Sequence, residues 1–288
     1  MPSKFITLSM LILGLLLVET AFSQANPVQL ISNQVYAIQD GKELKADIYQ
    51  PQGEGPFPGV LMIHGGAWAG GSRSHMALHA KHLAEHGYCV ASISYRLAPL
   101  HKHPAQIDDC RLALLWFFRH ANQYKVDPNR IAGYGYSAGA HLVCLLATTH
   151  NVLKAEGGQR ADLQILKAVI AGGTPCNFML EPAESLRFAY FLGDSRAKLP
   201  GVYAEASPLQ HVSKNTPPIL FFHGTADLVV PIEGANQMST DLKKLGVKSE
   251  MHRLEKNGHF GAFVNQNARQ IAVNFLDDVM QTKKPTKK

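Results

Sequence analysis

Five residues, Gly135-Tyr136-Ser137-Ala138-Gly139, fit the pattern G-x-S-x-G and stand between two apolar stretches of different kinds. Arg130-Ile-Ala132 before them reads as part of a buried strand, and Ala140 to Ala147 after them reads as a buried helix. Strand, tight turn and helix together form the context in which a serine of this pattern carries chemistry. So tight a turn needs small residues on either side, which Gly135 and Gly139 supply. The same turn puts the amide of Ala138 at a helix N-terminus, where it can face a developing negative charge. Taken alone, the pattern fits a glycine-rich connection with an incidental serine equally well, so the rest of the chain has to decide.

The surrounding chain alternates strand and helix. Gln34 to Ile38 and Leu44 to Tyr49 read as strands joined at Asp40-Gly41. Gly59 to Ile63 is a continuous apolar run, as a strand buried on both faces should be. A helix is expected from Ser74 to Glu85, closed by Gly87, then a strand from Cys89 to Tyr95 and a long helix from Ala105 to Asn122. After the Ser137 turn come strands at Leu166 to Ala171 and Ile219 to His223. A helix at Asn236 to Leu245, a last strand at Lys248 to Leu254 and a closing helix at Ala262 to Val279 complete the pattern. This order implies parallel βαβ units, hence an α/β fold with a mostly parallel central sheet flanked by helices. A length of 288 residues with 46% hydrophobic content suffices for one such domain with a full core. One stretch interrupts the alternation. Residues 174–216 carry only fragmentary helical signals yet are apolar for a connection, with Phe178, Met179, Leu180, Phe188, Tyr190, Phe191 and Leu192. An insertion here either folds over the site as a lid or packs as helices without touching substrate.

Lys4 precedes an apolar run from Phe5 to Val18, and Ala21-Phe22-Ser23 offers small residues at the −3 and −1 positions of a cleavage site. Residues 1–23 therefore read as a secretory signal peptide, and the run is short for a membrane span. The expectation is a secreted or periplasmic protein with no stable membrane insertion after cleavage. The formal net charge is +6, but residues 283–288 hold four of the lysines, which leaves about +2 for the body of the chain. This argues for a solvated basic tail and against nucleic-acid binding. Cys89, Cys110, Cys144 and Cys176 fall in apolar patterns or the insertion, with no zinc-site spacing, and are expected as buried free thiols.

A serine hydroxyl needs a base, normally histidine, and the base needs an acid to orient its ring. Open α/β sheets place their sites beyond the carboxyl ends of the strands. Asp227 stands there, after the strand that ends at His223, whereas Asp194 lies in the insertion and Asp241 in a helix pattern. His259 follows the turn signal Asn257-Gly258 and is the only one of 14 histidines between the last strand and the last helix. The loop after Ile63 begins His64-Gly65-Gly66, where the glycines let backbone amides approach a carbonyl oxygen, and Trp68 either lines a substrate pocket or simply packs.

Four segments together resemble a known family: His64-Gly-Gly-Ala-Trp68, Tyr95-Arg-Leu-Ala-Pro99, Gly135-Tyr-Ser-Ala-Gly139, and His223-Gly-Thr-Ala-Asp227 with His259. They are similar to α/β-hydrolase esterases and lipases of the hormone-sensitive-lipase-like group, and most to the acetyl xylan and feruloyl esterases. The resemblance covers about Val35 to Val279. It implies an α/β-hydrolase domain over residues 24–282 with a lid-like insertion at 174–216. It further implies Ser137 as nucleophile, Asp227 as acid and His259 as base, with an oxyanion hole at Gly65, Gly66 and Ala138. The expected substrates are short-chain or carbohydrate-linked (acetyl or feruloyl) esters, small or polysaccharide-linked, with no cofactor and no metal. Two positions depart from the lipase-like pattern: Ala67 stands where a third glycine is common, and Leu100 where a glutamate is common. The N-terminal cap of that group is nearly absent.

Rival readings remain. The segment His223 to Asp227 also resembles that of prolyl-oligopeptidase-like peptidases, although 288 residues leave no room for their propeller. A binding protein on the same fold need not keep all three residues in order, as this chain does. His75, His79, His82 and His86 form one stripe of a helix. The stripe is expected to be a solvated polar face rather than a metal site.

Overall fold

The computed structural model describes residues 27–149 and 166–280. The expected leader at 1–23 and basic tail at 283–288 lie outside these residues. Eight strands form one sheet: β1 (Val28–Gln39), β2 (Lys42–Pro51), β3 (Phe57–Ile63), β4 (Cys89–Ile93), β5 (Val126–Tyr136), β6 (Leu166–Gly172), β7 (Ile219–Gly224) and β8 (Ser249–Leu254). Their order is β1-β2-β4-β3-β5-β6-β7-β8. Only the pairings made by β2 are antiparallel, and the other five are parallel. This is an α/β-hydrolase fold, as the resemblance implied, with the mostly parallel sheet that the alternating pattern implied.

Strand β3 shows why the run is apolar throughout. Leu61 and Ile63 face one core and Val60 and Met62 the other, so both faces are covered by helices. On the first face pack α2 (Ala105–Arg119), α3 (Ala138–Thr148) and α6 (Glu233–Lys244), through Phe117, Leu142 and Met238. On the second pack α1 (Ala77–Glu85) and α8 (Gln266–Val279), through Leu83, Val273 and Leu276. All four cysteines are free and buried.

Several boundaries differ from expectation, each for a local reason. Strand β1 starts at Val28 rather than Gln34, because register shifts at Ile31/Gln34 and Val35/Ala37 interrupt the alternation that marks a strand. The helix expected from Ser74 opens as a 3₁₀ turn, Arg73–Met76, before α1 begins. The closing helix is two helices. A short α7 (His259–Val264) ends at Asn265, whose side chain accepts the Ala268 amide at 3.0 Å and so caps α8.

The histidine stripe is not a uniformly solvated face. His75 and His86 are exposed, but His79 is 1% exposed. Its Nδ1 is 2.8 Å from the Tyr134 hydroxyl, and its ring lies 4.7 Å from that of Phe263. Tyr134 and Phe263, far along the chain, cover this one member of the stripe, which a helical wheel does not show. Among the described residues, no group of three or more His, Cys, Asp or Glu is placed to hold a metal ion.

Candidate active site

The sharp turn after β5 is built by steric necessity. Ser137 adopts φ 54°, ψ −121°, a conformation L-residues rarely take. A Cβ on Gly135 would lie 2.2 Å from the Gly139 carbonyl oxygen, and one on Gly139 would lie 2.0 Å from that of Ile63. No other residue type fits either position. The Ser137 amide donates to the Gly172 carbonyl at 2.8 Å, which ties the turn to β6. Ala138 opens α3, so its amide is among those with no partner inside the helix.

The loop after β3 closes over this turn. A Cβ on Gly65 would lie 3.1 Å from Ser137 Cβ, so the backbone there touches the serine directly. The Gly66 carbonyl accepts from the Ala69 amide at 3.1 Å and the Gly70 amide at 2.9 Å. Ala67 and Trp68 then both take positive φ, 51° and 58°. His64 braces the loop from beneath. Its ring stacks on Tyr95 at 4.3 Å and its Nδ1–H donates to the Gly65 carbonyl at 2.7 Å. Burial pushes its pKa down to about 4, so the ring is neutral.

Asp227 and His259 meet at the ends of β7 and β8. His259 Nδ1 is 2.6 Å from Asp227 Oδ2, and the Asp227 side chain is 1% exposed. The other carboxylate oxygen, Oδ1, accepts the Val229 and Val230 amides, each at 2.9 Å. Burial alone would raise the Asp227 pKa. The Val230 amide, His259 and the Val229 amide outweigh it, and the carboxyl sits below its ordinary value. An ionised Asp227 can only accept, so the Nδ1 proton belongs to His259, and its Nε2 is free to take a proton. His223, at the end of β7, lies 3.4 Å from Asp227 and donates from Nε2 to the Val230 carbonyl at 2.8 Å. His259 is not in a loop, as expected, but is the first residue of α7.

Ser137 lies where two cavities meet. One, of about 480 Å³, is walled by Trp68, Phe178, Phe188, Tyr190 and Val230. The other, of about 560 Å³, is lined by Gly65, Gly66, Met76, Tyr136, His259 and Phe260. Trp68 both packs and lines. It is 3% exposed and stacks on Phe191 at 4.3 Å, and its indole donates to His141 Nδ1 at 3.1 Å. His141 Nε2–H in turn donates to the Ala206 carbonyl at 2.7 Å, and burial holds its pKa down at about 3. Nothing in the sequence pattern marked His141 or His223 as supports, because each acts on a partner distant in the chain or across a turn.

The insertion carries two short helices, α4 (Ala189–Leu192) and α5 (Pro200–Glu205), and two 3₁₀ turns. Besides the Trp68–Phe191 stack and the His141–Ala206 bond, two further hydrogen bonds fasten it to the site. The Tyr190 hydroxyl donates to the Ala67 carbonyl at 3.0 Å, and Arg187 donates to the Val229 carbonyl at 3.1 Å.

A family model, BD-FAE, matches residues 46–242. The chain belongs to the BD-FAE family. It is similar to proteins named as esterases. Esterase LipC of Mycobacterium tuberculosis is 34% identical over 244 residues, 79% of this chain and 60% of LipC, so the match spans less than two thirds of that relative. The apo form of Thermogutta terrifontis esterase 2 superposes with a TM-score of 0.73 at 27% identity, over 88% of this chain and 95% of that one. A truncated carbohydrate esterase from gut microbiota gives 0.77 at 22% identity, over 90% and 98%, a likeness of fold. The BD-FAE match includes the His64 loop, the Ser137 turn and Asp227, and stops short of His259.

Proposed function

We propose that this BD-FAE protein is a serine hydrolase of carboxylic esters, with Ser137 as nucleophile, His259 as base and Asp227 as the acid that orients it. The observation that carries the reading is the 2.6 Å contact between Asp227 and His259 at a cavity that also contains Ser137 on its strained turn. His259 Nε2 takes the Ser137 proton as Oγ attacks the acyl carbon. The oxyanion that forms is received by the amides of Gly65, Gly66 and Ala138. The imidazolium, steadied by Asp227, gives its proton to the leaving alcohol. Water then attacks the acyl carbon as His259 takes its proton, and the bond to Oγ breaks as His259 returns that proton to Ser137, releasing the acid. The chain's own groups account for every proton in this cycle.

The substrate reading is a short-chain or carbohydrate-linked ester, acetyl or feruloyl. The cavity of about 480 Å³, with its aromatic walls, suits an acyl group of modest size or one aromatic ring. The second cavity, beside His259, is then left for the alcohol. In this reading the insertion acts as a lid over the acyl side, held by Tyr190 and Arg187. The N-terminal pattern supports export, to the periplasm or beyond the cell.

The test is a panel of acetyl, butyryl, octanoyl and feruloyl esters, with acetylated xylan, matched nitroanilides and peptides. Fast turnover of the short and carbohydrate-linked esters, with no anilide or peptide cleavage, is the expected result. Peptide cleavage at comparable rates would move the assignment to the peptidases of this fold.

A further inference from the structure

Tyr136, the residue before the serine, is the last of β5 and is buried. Its hydroxyl donates to the backbone carbonyl of His259, the first residue of α7. Its ring lies 5.1 Å from the imidazole and 4.8 Å from Phe263 on the same short helix. From these contacts we infer that Tyr136 is a positioning residue, which fixes the backbone of the base relative to the turn that holds the nucleophile. The inference rests on the reading of His259 as the base.

The geometry gives the reason. Ser137 is held rigidly by its turn, but His259 arrives on a six-residue helix at the other side of the cleft. That helix is too short to be stable by itself. The Asp227 contact sets the plane and tautomer of the ring, and the Ala226 amide holds the Asn257 carbonyl at 3.0 Å two residues before the base, but neither bonds the His259 backbone itself. A donor on the residue next to Ser137 closes that gap in one bond. The surroundings leave room for it: a Cβ on Gly172 would lie 2.6 Å from the Tyr136 ring, and one on Gly173 would lie 3.1 Å from its hydroxyl and 3.0 Å from the His259 ring. Burial, with the charge of Asp227, holds the phenol well above its ordinary pKa, so it remains a donor at any working pH.

The experiment compares wild type with Tyr136→Phe, which keeps the ring and removes only the donor. Active-site concentration is fixed by burst titration, so that misfolded protein does not count. The expected result is a fall in kcat per active site of about tenfold, with KM within twofold and a parallel fall in the rate of fluorophosphonate labelling. Tyr136→4-aminophenylalanine, which restores a donor, should recover most of the loss. An unchanged kcat per site, or a loss seen only in KM, would overturn the inference; the second would make Tyr136 a wall of the alcohol cavity. If Tyr136→Phe does not fold, the 4-aminophenylalanine variant decides alone: wild-type kcat sustains the inference, and a folded variant with tenfold lower kcat overturns it. His259→Gln runs in parallel. Activity surviving in His259→Gln refutes the base assignment, whereas its loss alongside an unaffected Tyr136→Phe refutes the positioning role only.

Discussion

The carboxylate of Asp227 and the imidazole of His259 face each other at 2.6 Å, 32 residues apart in sequence, the first on the loop after β7 and the second at the start of α7, beyond the adjacent parallel strand β8. The acid is nearly dry, with two backbone amides on its second oxygen. It is therefore fixed before substrate arrives, and in the proposed reaction an imidazolium at His259 would meet a charge already in place.

Replacing Asp227 by Asn keeps the shape and removes the charge. The amide would present a donor or a weaker acceptor to Nδ1, favouring the wrong tautomer. The expected loss in kcat is about 10³–10⁴-fold with KM nearly unchanged, measured on a short nitrophenyl ester.

Stability should fall at mildly acidic pH. His64, His79 and His141 have folded pKa values of about 4, 3 and 3, pushed down by burial from an ordinary 6.5. As pH drops below 6.5 the unfolded chain takes up protons that the folded chain refuses, so the contribution of each is lost progressively down to its folded value. Asp227, held below 3.8, acts in the same direction at lower pH still. Thermal melts should show Tm lower by at least about 5 °C at pH 4.5 than at pH 7.5. A flat profile would mean that these rings are not buried and neutral.

Gly173 holds a narrow place. It has φ +55°, and a Cβ there would lie 3.0 Å from His259 Cε1. Gly173→Ala should lower stability by about 1 kcal/mol and kcat by roughly tenfold, since the imidazole is the group that must yield. Circular-dichroism melts and burst-titrated kinetics separate the two effects.

Trp68 joins the loop after β3 to the insertion through Phe191 and to α3 through His141. Trp68→Ala leaves a cavity and an unpaired His141 nitrogen. It should cost about 3–5 kcal/mol, seen as a Tm lower by about 10 °C, and should raise KM for esters with larger acyl groups.

The sheet was legible in the sequence because parallel strands buried on both faces are written as unbroken apolar runs, as at Gly59 to Ile63 and Ile219 to His223. The candidate site was legible because its residues follow the strands at recognisable turns. What was hidden lay in long-range pairing. The partner of His79 is Tyr134, 55 residues away, and no helical periodicity can reveal it. The break at Asn265 was masked because the apolar pattern runs on while a capping side chain restarts the helix. The insertion gave only fragments because its helical pieces are three to six residues long, too short to express a period.

The central claim is that Ser137 forms the acyl-enzyme. The most direct measurement is intact-mass and peptide mapping after treatment with a fluorophosphonate, for wild type and Ser137→Ala, together with ester turnover. The account predicts one adduct on the peptide containing Ser137, none in Ser137→Ala, and loss of ester hydrolysis in that variant by a factor of at least about 10⁴. Turnover persisting in folded Ser137→Ala, or an adduct on another residue, would contradict it.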